Sequence, residues 1–318
     1  MWRWTRRILL TLILIVIAAA VSGATYQWLA TRRELAATPP PGRLVDVGGH
    51  RLHLWCSGSG APAVILDSGL GGTSADWGFV QAGAATFTQV CSYDRAGMGY
   101  SDAGPSPRTA RRIASEVATL LDRGGVAGPV IAVGASIGGL NMRLFAADHE
   151  PRTAALVLVD ASHENQNDDP PAIAPFVPLL STIGAFRLLG ISFGVDPDSL
   201  APAVQPFVRA TRFRASGYQA AANEFTHLAE STAEVRASRR RLRVPVVVIT
   251  GARGNHGDWA TQQRDQLNLA DRSCQIVADR SGHLVPVQQP DAIVEALRAL
   301  VHHVRSGGAG SPCAVART

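Results

Sequence analysis

The chain has 318 residues, of which 46% are hydrophobic and 17% are charged, and its formal net charge is +5. This length and hydrophobic content provide for one large core and exclude a fibrous or broadly disordered chain. Every basic residue is arginine, and five of them lie between Arg236 and Arg243. No aromatic residue is interleaved with these five, so the run predicts a solvated helix face and no nucleic-acid partner is expected.

Residues 1–32 have the pattern of a segment that enters a membrane. Three arginines precede an apolar run from Ile8 to Val21, and aromatic residues flank the run on both sides. A helix from Ile8 to Trp28 would be about 30 Å long, enough to span the hydrocarbon core. We predict an uncleaved signal anchor, with a cleavable signal peptide as the alternative because small residues occur at Ser22 and Ala24. In both cases the rest of the chain lies outside the cytoplasm, secreted if the segment is cleaved.

Residues 33–42 are rich in alanine and proline and predict a linker that is extended where three prolines follow one another. After the linker, strand and helix patterns alternate, as in a parallel sheet. Apolar residues recur at helical spacing between Thr109 and Arg123, for example. We assign residues 43–160 and 244–306 to this core and residues 307–318 to a Gly- and Ser-rich tail.

A candidate nucleophile follows the apolar strand pattern 129–133. The segment from Gly134 to Gly139 reads Gly-Ala-Ser-Ile-Gly-Gly and precedes a helical pattern that begins at Leu140. Glycines on both sides of Ser136 permit a sharp turn that exposes the hydroxyl above the sheet, at the positive end of the next helix. Ser136 is therefore the predicted nucleophile.

Residues 161–243 interrupt the alternation with Asp- and Pro-rich loops and then with helical patterns, which predicts a helical cap over the active site. The residues that face Ser136 from the cap are expected to come from an apolar set: Phe176, Leu179, Leu180, Ile183, Phe186, Leu188, Leu189, Ile191 and Phe193. For most of them, packing of the cap onto the core is the expected role. An apolar acyl or alcohol portion of the substrate is expected.

His283 is the candidate base. It lies in a short loop between a strand pattern at 274–277 and an amphipathic helix pattern at 290–297. A serine hydroxyl becomes a strong nucleophile when a base removes its proton, and His283 follows Ser136 in the order serine, acid, histidine.

Two further segments complete a family resemblance. The apolar strand from Val64 ends in Ser68-Gly69-Leu70-Gly71-Gly72, and the turn Tyr93–Ser101 reads Tyr-Asp-Arg-Ala-Gly-Met-Gly-Tyr-Ser. With the serine turn and His283, they resemble the α/β-hydrolase fold family from Arg43 to Arg305. The resemblance implies an α/β fold in which a mostly parallel sheet is flanked by helices and carries an inserted helical cap.

The same resemblance implies an oxyanion hole made by the backbone N–H groups of Leu70 and Ile137. Ser68 stands where the family commonly has a histidine. The turn at residues 93–101 is expected to be structural.

The acid that orients His283 has three candidates. Family members often carry it after the strand that we place at 244–251, but Gly254 occupies that position and the next carboxylate is Asp258. Some relatives place the acid at the end of the preceding strand, where this chain has Asp160, at the carboxyl edge of the sheet. We predict Asp160, with Asp258 as the alternative and Glu164 as a third possibility.

The chain has four cysteines, and spacing alone does not choose among their three pairings. The family topology places the strand that ends at Cys56 beside the strand that contains Cys91, which implies a disulfide between them. Cys274 and Cys313 then remain as a second pair that would hold the tail on the core. Disulfides agree with export, and free thiols in a cytosolic protein are the alternative.

These features predict a serine hydrolase of carboxylic esters that uses no metal and no organic cofactor. Ser136 would attack, His283 would transfer the proton and Asp160 would orient the imidazole. Amidase, aminopeptidase, thioesterase or carbon–carbon hydrolase chemistry on the same residues is an alternative. An exported binding protein that has lost turnover is an alternative from another class, suggested by Gly254 and Ser68.

Overall fold

An eight-stranded sheet forms the centre of the fold. The computed structural model describes residues 2–166, 169–254, 257–308 and 312–313. Its strands are β1 (Arg43–Asp46), β2 (Arg51–Ser57), β3 (Ala63–Asp67), β4 (Val90–Tyr93), β5 (Val130–Ala135), β6 (Thr153–Val159), β7 (Val246–Gly251) and β8 (Ser273–Ala278). They lie in the order β1-β2-β4-β3-β5-β6-β7-β8. The pairs β1–β2 and β2–β4 are antiparallel, and all other pairs are parallel.

The α-helices are also numbered in chain order. They are α1 (Trp2–Ala37), α2 (Gly78–Ala84), α3 (Ala110–Arg123), α4 (Gly138–Asp148), α5 (Val177–Thr182), α6 (Ala185–Leu188), α7 (Gln205–Thr211), α8 (Ala215–Thr226), α9 (Leu228–Ala237), α10 (Trp259–Asp265), α11 (Val285–Gln288) and α12 (Pro290–Arg305).

The central strands are apolar along their whole length because helices cover both faces of the sheet. Every residue of β3, β5 and β7 is buried, as is typical of parallel strands in α/β proteins. Helices α3 and α4 pack on one face, and α2 and α12 pack on the other. The predicted α/β fold with a mostly parallel sheet is confirmed.

Five helices, α5 to α9, follow β6 and precede β7, in the segment 161–243 that was predicted as a cap. All five arginines of the run at its end are exposed, as predicted, but only Arg236 lies on a helix because α9 ends at Ala237. Arg239 pairs with Glu164 and, at 2.8 Å, with Asp265, and Arg241 pairs with Asp271. These arginines meet acidic groups of neighbouring segments because the chain returns to the sheet edge at this point.

Helix α1 has 36 residues and is long and apolar enough to cross a membrane, with a mean hydropathy of 2.6 over its most apolar window. A signal sequence near an N-terminus passes the same test of length and composition, so the helix agrees with both alternatives. It continues to Ala37, well into the predicted linker, which leaves 38–42 as the non-helical connection before β1. Most of the predicted tail, 307–318, lies outside the described residues.

Two disulfides join the cysteines in the implied pairs. Cys56 and Cys91 are directly opposite each other on β2 and β4, with their Cα atoms 4.0 Å apart. Cys274 on the edge strand β8 is joined to Cys313, with a Cα–Cα distance of 6.2 Å. The first bond therefore lies within the sheet, and the second attaches the end of the chain to the sheet edge.

Candidate active site

Ser136 lies on a sharp turn between β5 and α4. Its φ is +52°, a left-handed conformation that is costly for a residue with a Cβ. A Cβ on Gly134 would come within 2.3 Å of the Gly138 carbonyl oxygen, and one on Gly138 would come within 2.6 Å of the Asp67 carbonyl oxygen. The two glycines are thus required by close backbone contacts, and the turn projects the serine above the carboxyl end of the sheet.

The structure brings three of the predicted residues together. Nε2 of His283 lies 3.0 Å from Oγ of Ser136, and Nδ1 of His283 lies 2.7 Å from Oδ2 of Asp160. Asp160 follows β6 with a φ of +40°. Within the described ranges, Ser136 and Asp160 are the non-glycine residues with positive φ, so backbone strain is concentrated at this site.

The carboxylate of Asp160 is completely buried and its second oxygen is also engaged. Oδ1 accepts hydrogen bonds from the backbone N–H of Gly251 at 3.0 Å and from the indole N–H of Trp259 at 3.1 Å. The indole also meets the His283 ring edge to face, with ring centroids 5.5 Å apart. Trp259 was not predicted, and no local pattern marks it because its role depends on contacts with β6 and the histidine loop.

The other two candidate acids lie elsewhere. Asp258 is exposed and precedes α10, where its backbone carbonyl accepts a hydrogen bond from Gln262. Glu164 is buried and pairs with Arg143 and Arg239. Burial alone would raise the pKa of Glu164, but its bonds with Arg143 lower that pKa to about 2.

Glu164 also belongs to a cluster of potential metal ligands, His163, Glu164 and Asp265. His163 Nε2 lies 2.9 Å from Asp265, whose pKa is lowered first by the hydrogen bond from Arg239. Two guanidinium groups, those of Arg143 and Arg239, already balance the two carboxylates. This arrangement is that of an ion-pair network and not of a cation site.

The predicted oxyanion donors lie beside the serine. Leu70 lines the same cavity as Ser136 and His283, and Ile137 directly precedes α4. Among the described residues, no protein acceptor engages the backbone N–H of Leu70 or of Ile137. The loop is held by Ser68, whose hydroxyl donates to the Thr73 carbonyl at 2.7 Å. Ser68 thus supplies a loop contact of its own where the family commonly has histidine.

A buried arginine supports this loop from below. Arg95 donates to the carbonyl oxygens of Ser68 and Gly69 at 2.6 and 2.7 Å and pairs with Asp67 at 2.7 Å. It also makes two hydrogen bonds to Glu224 of α8. The turn at 93–101 was predicted to be structural, but no local pattern indicates that its arginine joins the predicted oxyanion loop to α8.

The cavity above Ser136 has a volume of about 310 Å³ and is lined mainly by loops at the carboxyl ends of the strands. From residues 161–243 it receives only Gly194 and Val195 among its lining residues. A second cavity of about 270 Å³ adjoins it and shares Leu70 and Gly194. Both cavities have more apolar than polar wall, in agreement with an apolar substrate portion.

The nine cap residues expected to supply the site behave differently from the prediction. Phe193 lines the second cavity, whereas Leu179, Leu188 and Leu189 are more than half exposed. Phe186 is buried against Tyr218. Six of the nine are exposed and none lines the cavity around Ser136, so the packing expected for most of the set does not hold for most of it either. Helices α5 and α6 are short, and their apolar residues point both toward α8 and toward solvent.

Asp76 is an acidic residue in the wall of the first cavity that was not predicted. Its Oδ2 accepts the backbone N–H of Thr73 at 3.1 Å. Burial raises the pKa of Asp76 to about 7, against the lowering effect of that N–H group. A carboxyl group that titrates near neutrality therefore faces the same space as Ser136.

Comparison with known proteins agrees with this architecture. The curated relatives match over half or less of their own length. One of them, "Probable transporter efuK" of Hormonema carpetanum, is 34% identical over 113 residues, which are 34% of this chain and 16% of that protein. A thermophilic esterase from Thermogutta terrifontis superposes with a TM-score of 0.63 at 21% identity, covering 83% of this chain and 99% of the esterase.

The epoxide hydrolase CorEH superposes equally well, with a TM-score of 0.64 at 21% identity, covering 83% of this chain and 98% of that one. Likenesses at this identity show the fold alone. The sequence model of the Alpha/beta hydrolase family matches residues 64–296. This match includes Ser136, Asp160 and His283. The chain belongs to the α/β-hydrolase family.

Proposed function

We propose that this protein is a serine hydrolase of carboxylic esters. The observation that carries the proposal is the chain of hydrogen bonds from Asp160 through His283 to Ser136, 2.7 and 3.0 Å long. A carboxylate that holds Nδ1 leaves Nε2 free to take the serine proton. The fold alone does not choose the reaction, since both an esterase and an epoxide hydrolase superpose on this chain.

The proposed reaction has two halves. Oγ of Ser136 attacks the ester carbonyl while Nε2 of His283 takes its proton, and the N–H groups of Leu70 and Ile137 stabilise the oxyanion. His283 returns the proton to the departing alcohol, which leaves an acyl group on Ser136. A water molecule, deprotonated by His283, then attacks the acyl group and releases the carboxylic acid, and Ser136 regains its proton.

The environment of Asp160 supports its role as the orienting acid. Its three hydrogen-bond donors, from Gly251, Trp259 and His283, hold the carboxylate in one position. A carboxylate fixed in this way holds the His283 ring in the orientation that the proposed proton transfer needs. Gly254 stands where the family often has the acid. Because Asp160 can take that role, the glycine does not argue for a binding protein without turnover.

We further propose that α1 anchors the enzyme in a membrane, with residues 43–160 and 244–306 as an extracytoplasmic core and 161–243 as its cap. The apolar length of α1 and the arginines that precede it support this orientation. The disulfides Cys56–Cys91 and Cys274–Cys313 also suit an oxidising compartment.

A fluorophosphonate probe tests the proposed function on the full chain. The probe should label the wild type and a Ser199→Ala control, in which the replaced serine is exposed and does not line the cavity. Ser136→Ala should remain unlabelled. An unlabelled wild type with native circular dichroism, or a labelled Ser136→Ala protein, would overturn the proposal. Parallel assays of matched esters and amides establish which bond is cleaved.

A further inference from the structure

The cap presents an unusual number of apolar side chains to solvent. Outside α1, nine large apolar residues of the described chain are exposed, and seven of the nine lie between residues 173 and 193. We call these seven the apolar cap face: Ile173, Phe176, Leu179, Leu188, Leu189, Ile191 and Phe193. Leu188 and Leu189 are the most exposed of them, at 70% and 71%. A cluster of this kind on a monomer indicates an interaction surface.

Helix α1 is fastened to the cap next to this face. Gln27 is buried, accepts a hydrogen bond from Nε of Arg187 at 2.8 Å and donates to the Phe213 carbonyl. Arg187 also bonds Thr31 at 3.1 Å and Glu34 at 2.9 Å. Positions 27, 31 and 34 form one stripe along the helix, so the contact is a continuous side-by-side packing.

The contact extends into the apolar part of α1. Gly23 lies against the turn between α5 and α6, where a Cβ would come within 2.4 Å of the Ile183 carbonyl oxygen. Gly23 precedes Trp28 by five residues, which is about 7.5 Å along a helix. Trp28 is covered by the Arg32 guanidinium, 4.7 Å from its ring, as suits an aromatic residue at a membrane interface.

This geometry sets the depth of the cap. If α1 spans a bilayer with Trp28 at the interface, the turn at Ile183 lies at the boundary between headgroups and acyl chains. Leu188 and Leu189 directly follow Arg187, which is bonded to α1 at Gln27, Thr31 and Glu34, so they lie beside the part of α1 that contains Trp28. Amphipathic segments bury their apolar face to about this depth in a membrane surface.

The second cavity connects this face to the nucleophile. Ile173 and Phe193 of the apolar cap face line the cavity of about 270 Å³, together with Val177 and Phe225. Its lining also includes Leu70, which lines the cavity around Ser136 as well. An acyl chain that enters between the apolar cap residues thus has a short apolar route to the serine.

We propose that the apolar cap face is seated in the outer surface of the membrane that α1 spans, and that the enzyme takes esters whose acyl chains reside in that membrane. The proposal rests on the proposed ester hydrolysis and on the anchoring role of α1. The acyl chain enters the second cavity and the ester group reaches Ser136, while the released alcohol or acid leaves through the first cavity.

Depth measurement on the full chain tests the seating directly. The described cysteines are all disulfide-bonded, so a single introduced cysteine accepts a spin label selectively. Leu188→Cys is compared with Val277→Cys, which replaces an exposed apolar residue on the edge strand β8. In phosphatidylcholine nanodiscs, the label at 188 should be more accessible to oxygen than to a water-soluble nickel chelate, and the label at 277 should show the opposite.

Equal aqueous accessibility of the two labels in nanodiscs would overturn the proposal. Dipolar broadening between labels at position 188 of two molecules would overturn it as well, because it would show that a second copy covers this face. Neither result depends on catalysis, so the seating is tested even if the enzyme is not an esterase.

Turnover tests the substrate class. Methylumbelliferyl palmitate in phosphatidylcholine vesicles and methylumbelliferyl acetate in solution are assayed with the wild type and with the double variant Leu188→Ser, Leu189→Ser. We expect kcat/KM to fall about tenfold for the palmitate and to stay unchanged for the acetate, because only the first requires the seated cap. An equal effect on both esters would overturn the membrane substrate. Lack of wild-type turnover of both esters would instead overturn the proposed function.

Discussion

Arg95 of the core and Glu224 of the cap are joined by two hydrogen bonds, 2.8 and 2.9 Å long, in a fully buried environment. The same guanidinium binds the carbonyl oxygens of Ser68 and Gly69 and the carboxylate of Asp67. One side chain therefore connects the sheet, the predicted oxyanion loop and the cap. If α8 moves relative to the sheet, either these hydrogen bonds break or the Arg95 side chain moves with α8.

Arg95→Met should lower the free energy of unfolding by about 3 to 5 kcal/mol, because it leaves two carboxylates buried without a cation. Glu224→Gln should cost less, since Arg95 keeps Asp67 as its partner. Arg209→Met, which removes an exposed ion pair with Asp198, is the control and should change stability by less than about 1 kcal/mol. Urea denaturation measures all three variants. Equal losses for Arg95→Met and Arg209→Met would contradict this account.

Asp160→Asn should lower kcat by about 10³ to 10⁴-fold with a small change in KM, because the amide no longer holds the reactive imidazole tautomer. Asp258→Asn is the matched control and should behave as the wild type, since that carboxylate is exposed and outside the cavity. Steady-state kinetics with a short ester decide the comparison. If Asp258→Asn loses activity while Asp160→Asn keeps it, the acid is Asp258 in the later loop.

Asp76→Asn should increase stability more at pH 8 than at pH 4. The pKa of Asp76 is raised from 3.8 to about 7, so folding favours its protonated form. The wild type therefore loses stability as the pH rises from about 4 to about 7, when the unfolded chain releases a proton that the folded chain retains. Asparagine has no such titration and still accepts the Thr73 N–H. Thermal melting at both pH values measures the difference, and a pH-independent difference would show that Asp76 has an ordinary pKa.

Removal of the Cys56–Cys91 disulfide by a double alanine substitution should cost about 4 kcal/mol, the chain-entropy value for a loop of this size. The Cys274–Cys313 bond closes a loop of similar length, 39 against 35 residues. Its removal should cost less, because Cys313 lies outside the strands and can detach from β8 without opening the sheet. Chemical denaturation of both double variants tests this order. A larger loss for the Cys274–Cys313 pair would show that the tail is part of the cooperative core.

Much of the site was predictable because its requirements are local. The turn at Ser136 needs glycines at fixed neighbouring positions, since their Cβ atoms would collide with Gly138 and Asp67. A strand pattern before the turn and a helix pattern after it complete the signal, and all of these lie within a few residues. His283 was predictable from its place in a loop between a late strand and the last helix.

The sequence by itself determined the alternation of strands and helices, the serine turn and the apolar N-terminal helix, because each depends on periodicity or on steric limits within a short segment. The tertiary structure alone decided which carboxylate meets His283, since Asp160 and Asp258 both follow sheet strands and only packing places one at 2.7 Å. It also decided that Arg95 supports the predicted oxyanion loop and that Leu188 and Leu189 face outward. These outcomes depend on contacts between segments far apart in the chain, and no local pattern encodes the distance between them.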